Sequence, residues 1–242
     1  MDELAIEVRA PGEGEPDSLA IPFPEGTKGT LSNGALELNG QLKGRLQRLA
    51  DSGELKGDLG TAVVLHTDGE LNARRVVVAG IGKRDELDVD ALRTAASTVA
   101  HRVADVGGTL AWLLDESLPL SLEEQARAIV EGTMLGSYSP ARWKTQEKPD
   151  AGVEKIVLYT TAGDNGLAES AGRIASVGKW VNVARDLANS PPNELTPEVL
   201  GARAAELAGP KLQVEALDPA RIDELGMGRS RRSAAEARTD RA

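Results

Sequence analysis

The chain has 242 residues and a net charge of −10, from 28 Lys and Arg against 38 Asp and Glu. Its 40% hydrophobic and 27% charged residues are the proportions of a folded globular protein of one or two domains, not of a disordered chain. The absence of cysteine excludes disulfides and thiolate chemistry, and the acidic balance argues against nucleic-acid binding by the body of the chain, since phosphates would be repelled.

Aromatic residues make up only 2%, so the core has to be built from Leu, Val, Ile and Ala. No apolar run approaches the roughly 20 residues that span a bilayer, and the acidic start MDELAIEVRAPGEGEP is unlike a signal peptide. The expectation is a cytoplasmic protein with no membrane partner.

In chain order, residues 4–8 and 19–23 predict short strands separated by the Pro/Gly-rich turn APGEGEPD. GQLKGRLQRLADSG sets Leu42, Leu46 and Leu49 on one helical face and closes at Gly53. TAVVLHT and RRVVVAG come next, two β-branched runs whose near-continuous apolar character suits strands buried on both faces. A helix over about 89–106 precedes the strand GTLAWLL, and a helix over about 122–135 begins at Ser121 with Glu124 three residues on, a capping box. EKIVLYT predicts another strand and 167–189 one long helix. Strands alternating with helices imply an α/β layered domain with a parallel or mixed sheet.

The long helix has to stop before Pro191-Pro192, because the residue before a proline avoids the helical region and proline cannot continue a helix. Thr196 then caps a new helix with Pro197 at its first position. KLQVEALD predicts a strand and DPARIDELG a short helix, so a second α/β unit begins here.

Few residues invite a chemical role. Gly80-Ile81-Gly82-Lys83 comes after a strand and reads either as a plain turn or as an anion-binding turn, although it lacks the third glycine of a dinucleotide fingerprint. His66 and His101 have no second His, Cys or carboxylate at ligand spacing and read as structural or surface residues. Trp112, Trp143 and Trp180 read as packing residues. DESL and SLEEQ read as a loop and a helix N-terminus, where negative charge favours the helix dipole.

WVNVARDLANSPPNELTPEVLGARAAEL together with LDPARIDELGMG resembles the junction between the N-terminal and catalytic domains of the leucyl (cytosol) aminopeptidase family. The run from Asn189 through Pro191-Pro192 to Thr196-Pro197 is its most specific part. RRVVVAGIGKRDELDVDALRTAASTVAHRV looks like the family's strand, turn and helix, and IVEGTMLGSYSPARWKT, with Trp143-Lys144, looks like its helix-to-hinge segment. The resemblance implies a macro-like N-terminal α/β domain over 1–162 with a mixed sheet flanked by helices, a linker helix over 163–190, and the incomplete start of a second α/β domain over 191–228.

It also implies a family reaction: two divalent metals, Mn or Zn, polarise a peptide carbonyl and activate a bridging water, releasing N-terminal residues such as Leu. The family's ligand-bearing strings, Gly-Lys-Gly, Asp-Ser-Gly-Gly and Asn-Thr-Asp-Ala-Glu-Gly, do not occur in this sequence; the nearest pieces are Lys83 and TDGE at 67–70. No catalytic, cofactor-binding or metal residue is carried over. The expectation is a chain inactive on its own, with peptide substrates, metals and the family's hexamer belonging to the full-length protein. The alternative is a non-catalytic macro-like module for ligand binding (ADP-ribose or DNA), assembly or regulation. Helices and a strand over 191–228 that lack their sheet should expose apolar faces.

Residues 229–242 differ in character: five Arg against Glu236 and Asp240 give a net of +3, leaving −13 for the rest. A short basic run of this kind also reads as a nucleic-acid arm. Written in GC-rich codons and read one base earlier, however, this stretch becomes Ala-Leu-Ala-Ala-Val-Gly-Arg-Gly-Gly-Ser-Asp-Gly-Pro-Gly, close to the small apolar strand that comes after GMG in the family. The expectation is an out-of-frame tail from about Arg229. Sequencing the gene should reveal an aminopeptidase-like reading frame downstream; its absence would refute the shift.

Overall fold

The computed structural model describes residues 4–26, 31, 33–140 and 151–227. Trp143, Lys144 and the tail from Arg229 lie outside them. The chain divides into two compact units, Met1–Val183 and Ala184–Ala242.

The first unit is built on a six-stranded mixed sheet. Strands β1 (Ala5–Arg9), β2 (Ser18–Phe23), β3 (Ala62–His66), β4 (Arg75–Gly80), β5 (Gly108–Leu113) and β6 (Val153–Tyr159) lie in the order β1-β6-β5-β2-β4-β3. All neighbours are parallel except β3 and β4. Successive side chains point to opposite faces of a strand, and here both faces are apolar. Ala20, Val77, Ala79, Leu110, Trp112, Ile156 and Leu158 belong to one core, whereas Leu19, Ile21, Phe23, Val76, Val78, Ala111, Val157 and Tyr159 belong to the other.

Helices α3 (Val89–Val103), α4 (Leu122–Gly136) and the start of α5 (Leu167–Asn189) cover the first face. Their buried positions explain why: α3 sinks Leu92, Ala95, Ala96, Val99, Ala100 and Val103, and α5 sinks Leu167, Ala171 and Ala175. The ends are fixed by side chains. Asp88 accepts a hydrogen bond from the N–H of Ala91 at 2.7 Å, and Ser121 and Glu124 form the capping box of α4. Glycine on α4 lets α3 approach closely: a Cβ at Gly132 would lie 2.2 Å from the Arg93 carbonyl oxygen. The Arg93–Glu131 ion pair, 2.8 Å, bridges the two helices beside this contact.

Helices α1 (Asn33–Gln41) and α2 (Arg45–Asp51) cover the other face. The sequence pattern suggested one helix through Leu42, Leu46 and Leu49; the chain breaks it at Lys43 and Gly44, which both take positive φ (50° and 76°). Leu42 and Leu46 are fully buried all the same, so the break turns the apolar face onto the sheet. Three further expectations are corrected. TAVVLHT, expected to be buried on both faces, is the half-buried edge strand β3, because only β4 flanks it. The helix expected to reach residue 106 ends at Val103, where the N–H groups of Val106 and Gly107 both return to the Val103 carbonyl. Trp112 packs with no exposure, but Trp180 is 52% exposed, being on the side of α5 opposite Ala171, Ala175 and Gly178.

In the second unit, α6 (Pro197–Ala205) is capped by Thr196 with Pro197 in its first turn, and α7 (Pro219–Glu224) is capped by Asp218. Neither contains a buried residue, and Leu200, Leu207, Leu212, Leu225 and Met227 are exposed. KLQVEALD is not a strand: Leu212 makes only an isolated bridge to Gly209, because an extended segment needs a neighbouring strand for its ladder hydrogen bonds, and none is present among the described residues of this unit.

The α3–α4 contact makes Gly132→Ala destabilising by about 1–3 kcal/mol through overpacking. Gly172→Ala on α5, where a Cβ meets nothing within 4 Å, should instead stabilise by about 0.5–1 kcal/mol. Urea unfolding of the two variants checks the contrast.

Candidate functional site

The first unit contains a cleft of about 510 Å³ outside the carboxyl ends of β1, β6 and β5, beneath α1. In open α/β sheets ligands gather outside these strand ends. Its walls come from residues 11–16 after β1, 113–117 at the end of β5, 159–161 at the end of β6, the loop 70–73, and α1.

Each wall is held by identifiable bonds. Gln125 of α4, almost fully buried, clips the loop after β5: its side-chain oxygen accepts the N–H of Asp115 at 3.0 Å, and its amide donates to the carbonyls of Asp115 and Leu120 at 2.9 Å. Asp115 in turn accepts from the N–H of Ser117 at 2.8 Å. Tyr159 donates its hydroxyl to the Glu13 carbonyl at 2.5 Å, tethering the loop after β1 to β6; burial pushes its phenol up from the ordinary value, so it stays a donor. On α1, Gly34 lies so near Leu113 that a Cβ would come within 2.5 Å of the leucine side chain.

Glu70 is anchored between Lys43, at 3.0 Å, and Arg45, and Arg45 also donates to the His66 carbonyl at 3.0 Å. The ammonium of Lys43 and then the Arg45 guanidinium hold the Glu70 carboxyl below the ordinary carboxylate value. Glu37, Asp115 and Glu116 also line the cleft, whereas no Lys, Arg or His among the described residues does. The apolar part of the lining comes from Leu19, Leu38, Leu71, Leu113 and Leu114. The arrangement suits a small amphipathic ligand: hydrocarbon walls exclude water and a few polar groups orient it.

Of the stretches weighed in the sequence for a chemical role, DESL and TDGE bring Asp115, Glu116 and Glu70 to the cleft, and the others lie elsewhere. In Gly80-Ile81-Gly82-Lys83 the three leading N–H groups already donate to the carbonyls of Thr61, Phe23 and Gly57, and Lys83 pairs with Glu86 at 2.9 Å; this is the turn reading, with none of those three N–H groups left to cradle an anion. His66 and His101 are exposed. Among the described residues no three His, Cys, Asp or Glu converge as a metal site. The sequence marks DESL only as a loop and TDGE only as a fragment of a ligand string, not as a site; that DESL directly succeeds the end of a predicted strand is the signal that could have identified it as one, and Glu37 carries no such signal.

The sequence profile of the cytosol aminopeptidase family, N-terminal domain, matches residues 22–147. The chain belongs to the cytosol aminopeptidase family. Similar relatives include proteins named probable cytosol aminopeptidase from Roseiflexus castenholzii, 36% identical over 188 residues (76% of this chain, 38% of the relative), and from Pseudomonas fluorescens, 29% identical over 233 residues (93% and 46%). The chain thus spans less than half the length of these family members. Among solved structures, a mutant of tomato leucine aminopeptidase superposes with a TM-score of 0.76 at 21% identity, over 92% of this chain and 46% of that one. The bottromycin maturation enzyme BotP in complex with Mn has a TM-score of 0.57 at 20% identity, over 79% and 36%. These likenesses establish the shared fold. Among the described residues no helix is long and apolar enough to cross a membrane.

The Glu70 anchor gives a pH prediction. A carboxyl lowered in the folded state stabilises fully above its unfolded value and loses that contribution as pH falls through the folded value. Glu70→Gln should therefore lower the melting temperature at pH 7, with a deficit that shrinks towards pH 3. Circular-dichroism melts at both pH values check this; an equal deficit at each would mean that shape, not charge, is lost.

Proposed function

We propose that the chain supplies the N-terminal domain, and the first elements of the succeeding catalytic domain, of a metal-dependent leucyl aminopeptidase that releases N-terminal residues such as Leu from peptides. The match of the N-terminal family profile to residues 22–147 carries this reading. The proposed division is an N-terminal domain over 1–162, a linker helix over 163–190 and the start of a catalytic domain over 191–228, in a cytoplasmic protein. Mn or Zn, peptide substrates and hexameric assembly belong, in this reading, to the full-length family protein.

The described residues do not fit the family's metal pair. No acidic or histidine cluster converges among them, and Lys83, the lysine nearest to a family ligand string, is committed to Glu86. No step of hydrolysis is therefore assigned to residues of this chain, and it is proposed to be inactive by itself.

A second reading, a non-catalytic ligand-binding module, is favoured by the cleft. ADP-ribose suits it poorly, because a diphosphate would meet carboxylates and no base, and the same charge opposes DNA.

Leucine p-nitroanilide with Mn²⁺ or Zn²⁺ tests the main reading. The purified chain should release no nitroaniline above the buffer rate; release that scales with protein and stops with a chelator would overturn the proposed inactivity.

A further inference from the structure

We propose that the cleft beneath α1 binds a small organic cation, a protonated primary amine carried on a compact hydrocarbon body. Three observations converge on this ligand class. The volume of about 510 Å³ falls within the roughly 300–1,000 Å³ of small-molecule sites. The leucine lining takes an apolar body, and its burial supplies the non-directional part of the affinity. The charge of the walls supplies the selectivity: Glu37, Glu70, Asp115 and Glu116 line the cleft and no basic side chain among the described residues does.

These carboxylates are not equivalent. Glu70 is already neutralised by Lys43 and Arg45, and one oxygen of Asp115 is taken by the Ser117 N–H. Glu37 and Glu116 have no cationic partner within the described residues, so an incoming ammonium gains a new pair without displacing an old one. A divalent metal ion is the poorer fit, since it needs several oxygens at one point and no such group converges among the described residues. A phosphate ligand is opposed by the same charge.

Phenethylammonium, its neutral isostere 2-phenylethanol, and ADP-ribose are the probes, titrated into the full chain by calorimetry and followed by amide NMR. Phenethylammonium should bind saturably, with shifts concentrated at residues 113–117 and 159–161, and about tenfold more tightly than the alcohol. The double variant Glu37→Gln/Glu116→Gln should erase most of that difference while its melting temperature stays unchanged. Equal binding of ammonium and alcohol, shifts outside the cleft, the absence of saturation at millimolar ligand, or tighter binding of ADP-ribose would each overturn the proposal. The ammonium-to-alcohol comparison on the unaltered chain stands even if the double variant fails to fold. No outcome depends on peptidase activity, so it fails or succeeds separately from the proposed enzymatic role.

Discussion

A sheet that runs parallel through its middle has no face that can be left to water, and this constraint shapes the first unit. Each central strand must be apolar on both sides, so β2, β4, β5 and β6 alternate not between core and solvent but between two cores. Two helix layers must then lie close to the sheet. The α3–α4 layer achieves this with small residues, Ala95, Ala96, Ala126, Gly132 and Gly136 at its contacts, which is how so few aromatics suffice. Trp112, the largest fully buried side chain among the described residues, belongs to the same core.

The cleft is a by-product of the same layering. Parallel strands place their carboxyl ends along one edge, and the loops leaving β1, β5 and β6 diverge there, the first to strand β2 and the others to helices α4 and α5. Buried polar anchors keep the divergence fixed. Gln125 contributes three hydrogen bonds from within the helix layer, and Tyr159 reaches across from the last strand. Asp115 stands on backbone held from behind by Gln125, and the Glu70 carboxylate is held by Lys43 and Arg45.

In the second unit the same pattern has no sheet among the described residues. Thr196 and Asp218 cap their helices as the sequence promises, because capping is local: a side-chain oxygen meets an N–H three residues on. KLQVEALD keeps strand-like alternation, yet a strand is a two-body structure, and none of the described residues in its unit gives it a partner. Leu200 on α6 and Leu225 just after α7 remain exposed.

The sequence by itself determined what depends on neighbours a few residues away: the strand and helix order of the first unit, the Ser121 and Thr196 caps and the stop before Pro191; it also carries the resemblance to the family. It could not decide that β3 is an edge strand, that Trp180 faces away from the core, or that one leucine-spaced helix would break at Gly44, since each outcome depends on which surface lies opposite. Glu37, Glu70, Asp115 and Glu116 were invisible as a group for the same reason. They sit on three separate segments, and only the folding of the loop after β5, the β3–β4 loop and α1 around one cleft brings their charges together.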